Sequence, residues 1–210
     1  SAPDGYTILL SNIGTHAVNI HLMKTMPFDP VKDFVPIAHV LDAEGLLVVH
    51  PDVKAKSVAD VIALAKAQPG KLTYASGGTG TTSHLAGEMF KSAAKVDIVH
   101  VPYKGNSPAI TDLVGGQTTM AFATMPTVMP MVKAGRLRAL AVIGTTRAAA
   151  LPDMPTVAES GLPGFAVSNW IGLFAPAGTS PEIVRRLNAE VLKIMQSPEV
   201  VKRLETEGAK

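Results

Sequence analysis

Apolar positions along the chain recur with two spacings, and their alternation predicts strands followed by helices. Strand-length apolar runs are Tyr6–Ser11, Ile37–Val40, Leu46–His50, Val96–Val101, Thr119–Ala123, Leu137–Ile143 and Val167–Ala175. Helical spacing appears between them. Val58, Val61, Ile62 and Ala65 share a face behind the cap Ser57-x-x-Asp60, and Pro69-Gly70 stop that run. Further helices are predicted over Ser83–Ala94, from an Asn106 or Ser107 cap to Gly115-Gly116, and over Thr127–Ala134. Near the end, Thr179 and Glu182 bracket a helix whose face is Ile183, Leu187, Val191, Ile194 and Met195; a last helix, Pro198–Glu207, stops at Gly208. A short helix is expected near Thr156–Ser160, and Met26–Asp33 reads as an ordered loop anchored by Phe28 and Phe34.

Strands alternating with helices of about ten residues imply an α/β fold built from βαβ units on a parallel sheet. In such sheets ligands lie beyond the carboxyl ends of strands, and the turns at Ser76, Tyr103 and Thr124 all follow strand ends. Lys71–Tyr103 is the most informative stretch. A short β-favouring run ends at Ala75, Ser76–Thr82 contain only Ser, Gly and Thr, and a helix follows. Such a turn feeds unpaired amides into a helix N-terminus, where dipole and donors together suit an anion. The expected ligand group is a carboxylate or another small anion.

Composition narrows the alternatives. The 210 residues are 47% apolar and 17% charged, enough for one large domain or two small ones. A net charge of +2 supplies no basic field, so nucleic acid is not an expected partner. Cysteine is absent, which removes thiolate metal sites and cysteine nucleophiles. No run approaches the roughly eighteen apolar residues of a membrane span, so no direct membrane insertion is expected. The six histidines lack metal-ligand spacing, and neither a metal nor a cofactor is expected.

Other chemistries fit less well. Gly78-x-Gly80 lacks the third glycine of a dinucleotide turn, and no Gly-Lys-Ser/Thr of a phosphate loop follows. Ser76 or Ser83 beside His84 suggests a nucleophile and base, yet there is no G-x-S-x-G elbow and no acid placed to orient the imidazole. His84 and His16 are read as hydrogen-bonded structural residues first and as ligand contacts second. His39, His50 and His100 are read as packing or surface residues. Tyr103-Lys104 is either a solvated turn or part of the site, Asn169 and Trp170 pack in the core or at a rim, and Met125, Met129 and Met131 fill the core.

The ordered motifs APDGYTILL, DPVKDFVPIA, KAQPGKLTYASGGTGTTSHLAGEMFK, VDIVHVPYKGNSPAITDLVGGQ, AGRLRALAV, LPDMPTVAESGLPGF and FAPAGTSPEIVRRLNAEV resemble the Bug proteins, periplasmic receptors of tripartite tricarboxylate transporters. The resemblance covers nearly the whole chain. It implies a non-enzymatic, two-lobed periplasmic-binding-protein-like fold with parallel-rich sheets, closing on a small carboxylate and recognised by membrane permease subunits. The lobes implied are 44–168 for the second, with 1–43 and 169–210 as parts of the first.

By position, the resemblance assigns the anion turn to Ser76, Gly77, Gly78, Thr79, Gly80, Thr81, Thr82, Ser83 and His84, supported by Tyr103 and Lys104. Ser11–His16, with Thr15 and His16, would be the first-lobe contribution. At Ala123-Thr124 family members often carry Asp-Asn, so Thr124 implies a smaller or less polar contact. The family begins several dozen residues earlier and ends with a further helix, so the resemblance implies a truncated receptor with an incomplete first lobe. The alternative from another class is an enzyme or enzyme subunit that positions a small carboxylate or phosphorylated substrate on the same turn.

Overall fold

The computed structural model describes residues 1–207 and 209. In chain order its elements are β1 (Leu9–Asn12), α1 (Asn19–Leu22), β2 (Phe34–Ala43), β3 (Gly45–Val49), α2 (Val58–Ala67), β4 (Thr73–Ser76), α3 (Thr82–Ala94), β5 (Val99–Pro102), α4 (Asn106–Val114), β6 (Met120–Thr124), α5 (Met125–Lys133), β7 (Arg138–Val142), β8 (Asn169–Pro176), α6 (Pro181–Met195) and α7 (Pro198–Glu207). The contacts divide them into two units. Unit 1 is Ser1–Ala43 with Asn169–Lys210, and unit 2 is Glu44–Ser168.

Unit 2 is a five-stranded sheet in the order β5-β4-β6-β3-β7, with helices on both faces. β4 is parallel to β5 and to β6, as βαβ connections require. The sheet is nevertheless mixed. The chain enters at Glu44 on the edge where β4, β5 and β6 end, so β3 must run against its neighbours β6 and β7. Alternation then sorts the core. Leu47, Val49, Tyr74, Met120 and Phe122 face one side with Val58, Val61, Ala86 and Phe90 of α2 and α3; Leu46, Val48, Ala75, Ala121 and Ala123 face the other with Ala109, Leu113, Met125 and Val128 of α4 and α5. Burying one side chain such as Phe122 contributes about 1.5–3 kcal/mol.

Capping follows local chemistry. Ser57 accepts from the Asp60 amide at the start of α2, while the Asp60 carboxylate reaches back to Lys56 N–H. The expected side-chain cap of α4 is corrected: Gly105 occupies that position with φ +114 and no side-chain bond, and Asn106 begins the helix. Thr156–Ser160 is a single turn rather than a helix, closed reciprocally by Thr156 Oγ1 and Glu159. The expected strand Val96–Val101 is shorter and later, because pairing with β4 starts only at Thr73 opposite Val99.

Unit 1 is a three-stranded antiparallel sheet, β1-β8-β2, with register irregularities beside Pro36 and His39 in β2. α6 packs on β2, where Asn188 Nδ2 donates to the Ile37 carbonyl at 2.7 Å. Its cap is Ser180, which accepts from Ile183 N–H; Thr179 instead donates its hydroxyl to the Pro176 carbonyl. Ile194, expected on the buried face, is 58% exposed. The expected helix stop at Gly208 lies outside the described residues. Phe28 and Phe34 meet edge to face at 5.5 Å, as their anchoring role requires.

Candidate functional site

Parallel strands end together, so the turns after Ser76, Pro102 and Thr124 lie along one edge of the unit 2 sheet. The first two are tied directly: Tyr103 N–H donates to the Ser76 carbonyl at 3.0 Å, and Gly105 N–H donates to the Gly77 carbonyl at 3.1 Å. Gly77 must lack a side chain because a Cβ there would run into Asn106. Gly78, at φ +124, passes under the Tyr103 carbonyl.

The expectation of a row of unpaired amides is corrected. Gly77 N–H donates to Ser83 Oγ at 3.1 Å, Gly78 N–H to Ser76 Oγ at 3.1 Å, and Gly80 N–H to His84 Nδ1 at 3.3 Å. Thr81 N–H donates to the Gly78 carbonyl and His84 N–H to Thr81 Oγ1, the α3 cap. A Ser- and Thr-rich turn supplies its own acceptors, so most of its donors are consumed locally. Among the described residues, the backbone donors of Thr79 at the exposed tip and of Ser83 in the first turn of α3 have no acceptor. They stand at the positive end of a 13-residue helix.

His84 accepts at Nδ1, so its neutral ring carries the proton on Nε2. Its ring lies 4.3 Å from that of His100, which in turn stacks on Tyr74 at 4.8 Å. His100 Nε2 lies 2.6 Å from Ser76 Oγ. Burial, aided by the His84 charge, holds His100 below the ordinary histidine range. Beneath it, the fully buried Tyr74 donates its hydroxyl to Glu88 at 2.6 Å, and Lys91 lies 3.3 Å from the same carboxylate. Burial drives the Tyr74 pKa up; burial also raises that of Glu88, but the bonds from Tyr74 and Lys91 leave it net lowered.

Other assigned residues are placed as follows. Tyr103 spends its hydroxyl on Asp112 at 2.8 Å, which ties it to α4. Lys104 is exposed and has no ion-pair partner among the described residues. Thr124 and Thr127 share a 2.9 Å hydroxyl contact at the start of α5. Thr15 and His16 belong to unit 1. Thr15 N–H donates to Asn12 Oδ1 at 3.3 Å, while His16 lies 2.7 Å from Ser11 Oγ and stacks on Phe174 at 4.1 Å. Burial lowers the pKa of His16 as well.

His100 and Asn106 also lie against the turn, and the sequence reading assigned neither to it. His100 faces the turn only because β4 and β5 pair in the register Tyr74 opposite His100. Asn106 was visible only as a cap candidate; its approach to Gly77 depends on the β4–β5 register.

The sequence profile of the tripartite tricarboxylate transporter family receptor matches residues 1–210. Protein BugT of Bordetella pertussis is 39% identical over 210 residues, all of this chain and 64% of BugT. The structure of R. palustris Rpa4515 with adipate superimposes with a TM-score of 0.95 at 37% identity, covering 100% of this chain and 70% of that one. MatC (Rpa3494) from Rhodopseudomonas palustris with bound malate gives 0.90 at 33% identity, covering 100% and 71%. The chain thus spans a little under two thirds of the length of the curated relatives, 62% and 64% for two of them. With its whole length matched, the chain belongs to the tripartite tricarboxylate transporter receptor family, the Bug proteins.

Proposed function

We propose that this chain is the ligand-capturing part of a periplasmic receptor that binds a small organic carboxylate for a tripartite tricarboxylate-type transporter, and that it catalyses no reaction. The observation that carries this reading is the opening of α3 at the sheet edge, where the Thr79 and Ser83 amides keep their donors at a helix N-terminus. Partial charges of this kind hold a carboxylate without a buried counter-charge, whose desolvation would be costly. Lys104 adds an exposed cation on the adjacent turn. The adipate and malate held by two structural relatives point to the same ligand class.

Family membership supports a periplasmic location and permease subunits as partners. For those subunits to tell a loaded receptor from an empty one, ligand must bind one conformation better than another. The test is a thermal-shift screen of adipate, malate and related carboxylates, with the ligand followed by NMR. At about 100 times Kd a ligand stabilises its receptor by about 2.7 kcal/mol. Stabilisation with unchanged ligand resonances is expected; conversion of the ligand would establish the enzyme reading instead.

A further inference from the structure

The glycine-rich turn carries one acceptor that can be switched off. Gly80, at φ +84, is buried, and its amide donates to His84 Nδ1 at 3.3 Å. The other side chains that accept from amides of the turn, those of Ser76, Thr81 and Ser83, offer hydroxyls, which keep their lone pairs at any working pH. An imidazole does not. A proton added to neutral His84 must go to Nδ1, because Nε2 already holds one, and the acceptor for the Gly80 amide is then gone.

The surroundings decide which ring charges. His84 is half-buried, and its Nε2 has no partner among the described residues and is not sealed from solvent, so the ring exchanges protons with water. Behind it lies His100 of β5, 4.3 Å away between ring centroids, and behind that Tyr74 of β4, stacked on His100 at 4.8 Å. Two imidazoles this close do not readily charge together, and burial, then the His84 charge, keeps His100 the neutral one. Along α3, Glu88 follows one turn later and Lys91 after it; that carboxylate is already taken up by the Tyr74 hydroxyl and by Lys91. A charge on His84 thus has no ion-pair partner among the described residues, and it stands in the first turn of α3, where the helix dipole disfavours a cation. An anion at the turn supplies what is missing.

We propose that His84 is a proton-operated latch on the carboxylate site: the neutral ring occupies the Gly80 amide before ligand arrives, and ligand is captured together with one proton, which frees that amide and places a cation beside the bound carboxylate. The latch rests on the carboxylate reading of the turn and adds its regulation. Linkage then runs both ways, so acid tightens binding and the ligand holds the proton on His84.

Adipate is the probe, titrated calorimetrically into the whole chain at pH 8 and pH 6, where carboxylates of ordinary pKa stay ionised. An opposite charge within about 4–6 Å changes proton affinity about tenfold or more, so Kd should be about fivefold lower at pH 6, where the ring is only partly charged. Followed by NMR, the His84 imidazole should titrate at higher pH with adipate than without it. In the chain without ligand, the Gly80 amide shift should follow the same His84 titration. His84→Asn puts Oδ1 where Nδ1 stands, an acceptor for Gly80 that takes no proton, and should remove the pH dependence. Equal Kd at the two pH values, a His84 titration unmoved by adipate, or an unchanged pH dependence in His84→Asn would overturn the latch and leave the carboxylate site standing. No adipate binding at either pH would overturn the carboxylate reading, and the latch with it.

Discussion

Ser76 Oγ lies 2.6 Å from His100 Nε2, joining the first residue of the glycine-rich turn to the neighbouring parallel strand. The contact places a titratable ring directly under the proposed carboxylate site. His100 is held below its ordinary value of 6.5 by burial and then by the His84 charge. The unfolded chain therefore binds the proton first as pH falls. Stability is full above 6.5 and declines as pH drops through the lowered folded-state value. Melting temperature measured between pH 8 and pH 5 should fall toward acid, and His100→Gln should flatten that slope; parallel slopes would remove His100 from the explanation.

Ser83 Oγ is the acceptor for the Gly77 amide and also lies 2.9 Å from Thr81 Oγ1, the cap of α3. Ser83→Ala leaves a turn amide without its acceptor, at a cost of about 1–3 kcal/mol. The expected outcome is a lower Tm together with weaker carboxylate binding. Thr81→Ala should cost about 1 kcal/mol through the lost cap, with Thr81→Ser restoring most of it.

Tyr74 lies against the bare Cα of Gly87, where any side chain would meet the ring. Alanine is favoured over glycine in a helix by about 1 kcal/mol. Overpacking a filled core costs about 1–3 kcal/mol, and this ring is fully buried and held at its hydroxyl by Glu88, so it cannot retreat. Gly87→Ala should therefore destabilise the chain despite its helix preference. Denaturant melts of the two proteins decide the sign.

Tyr74→Phe tests the polar half of the same contact. Loss of the 2.6 Å bond removes one of the donors that lower the Glu88 pKa, so that pKa should rise in an NMR titration. Stability should fall by about 0.5–1.5 kcal/mol. An unmoved Glu88 would mean that Lys91 and His84, without Tyr74, set its charge.

Much of this was legible locally. The Ser57–Asp60 cap, the strand-turn-helix around Gly77–Gly80, and the strand ends at Ser76 and Thr124 depend on residues a few positions apart, and they fall within one residue of where the pattern puts them. What failed depends on geometry between distant segments. The reversal of β3 depends on where the chain enters the sheet, and the meeting of His100 with Ser76 depends on strand register. Two adjacent hydroxyl residues, Thr179 and Ser180, offer the same capping chemistry, and only the backbone path selects Ser180. The count of free amides in the turn was overestimated because its own Ser, Thr and His side chains act as acceptors.

Those two remaining donors can be observed one by one. Adipate or malate titrated into the isotopically labelled chain should produce saturable shifts that are largest at the Thr79 and Ser83 amides, with smaller ones at Lys104. Saturable binding that leaves both amides unmoved, or no binding even at millimolar ligand, would contradict a carboxylate held at the start of α3.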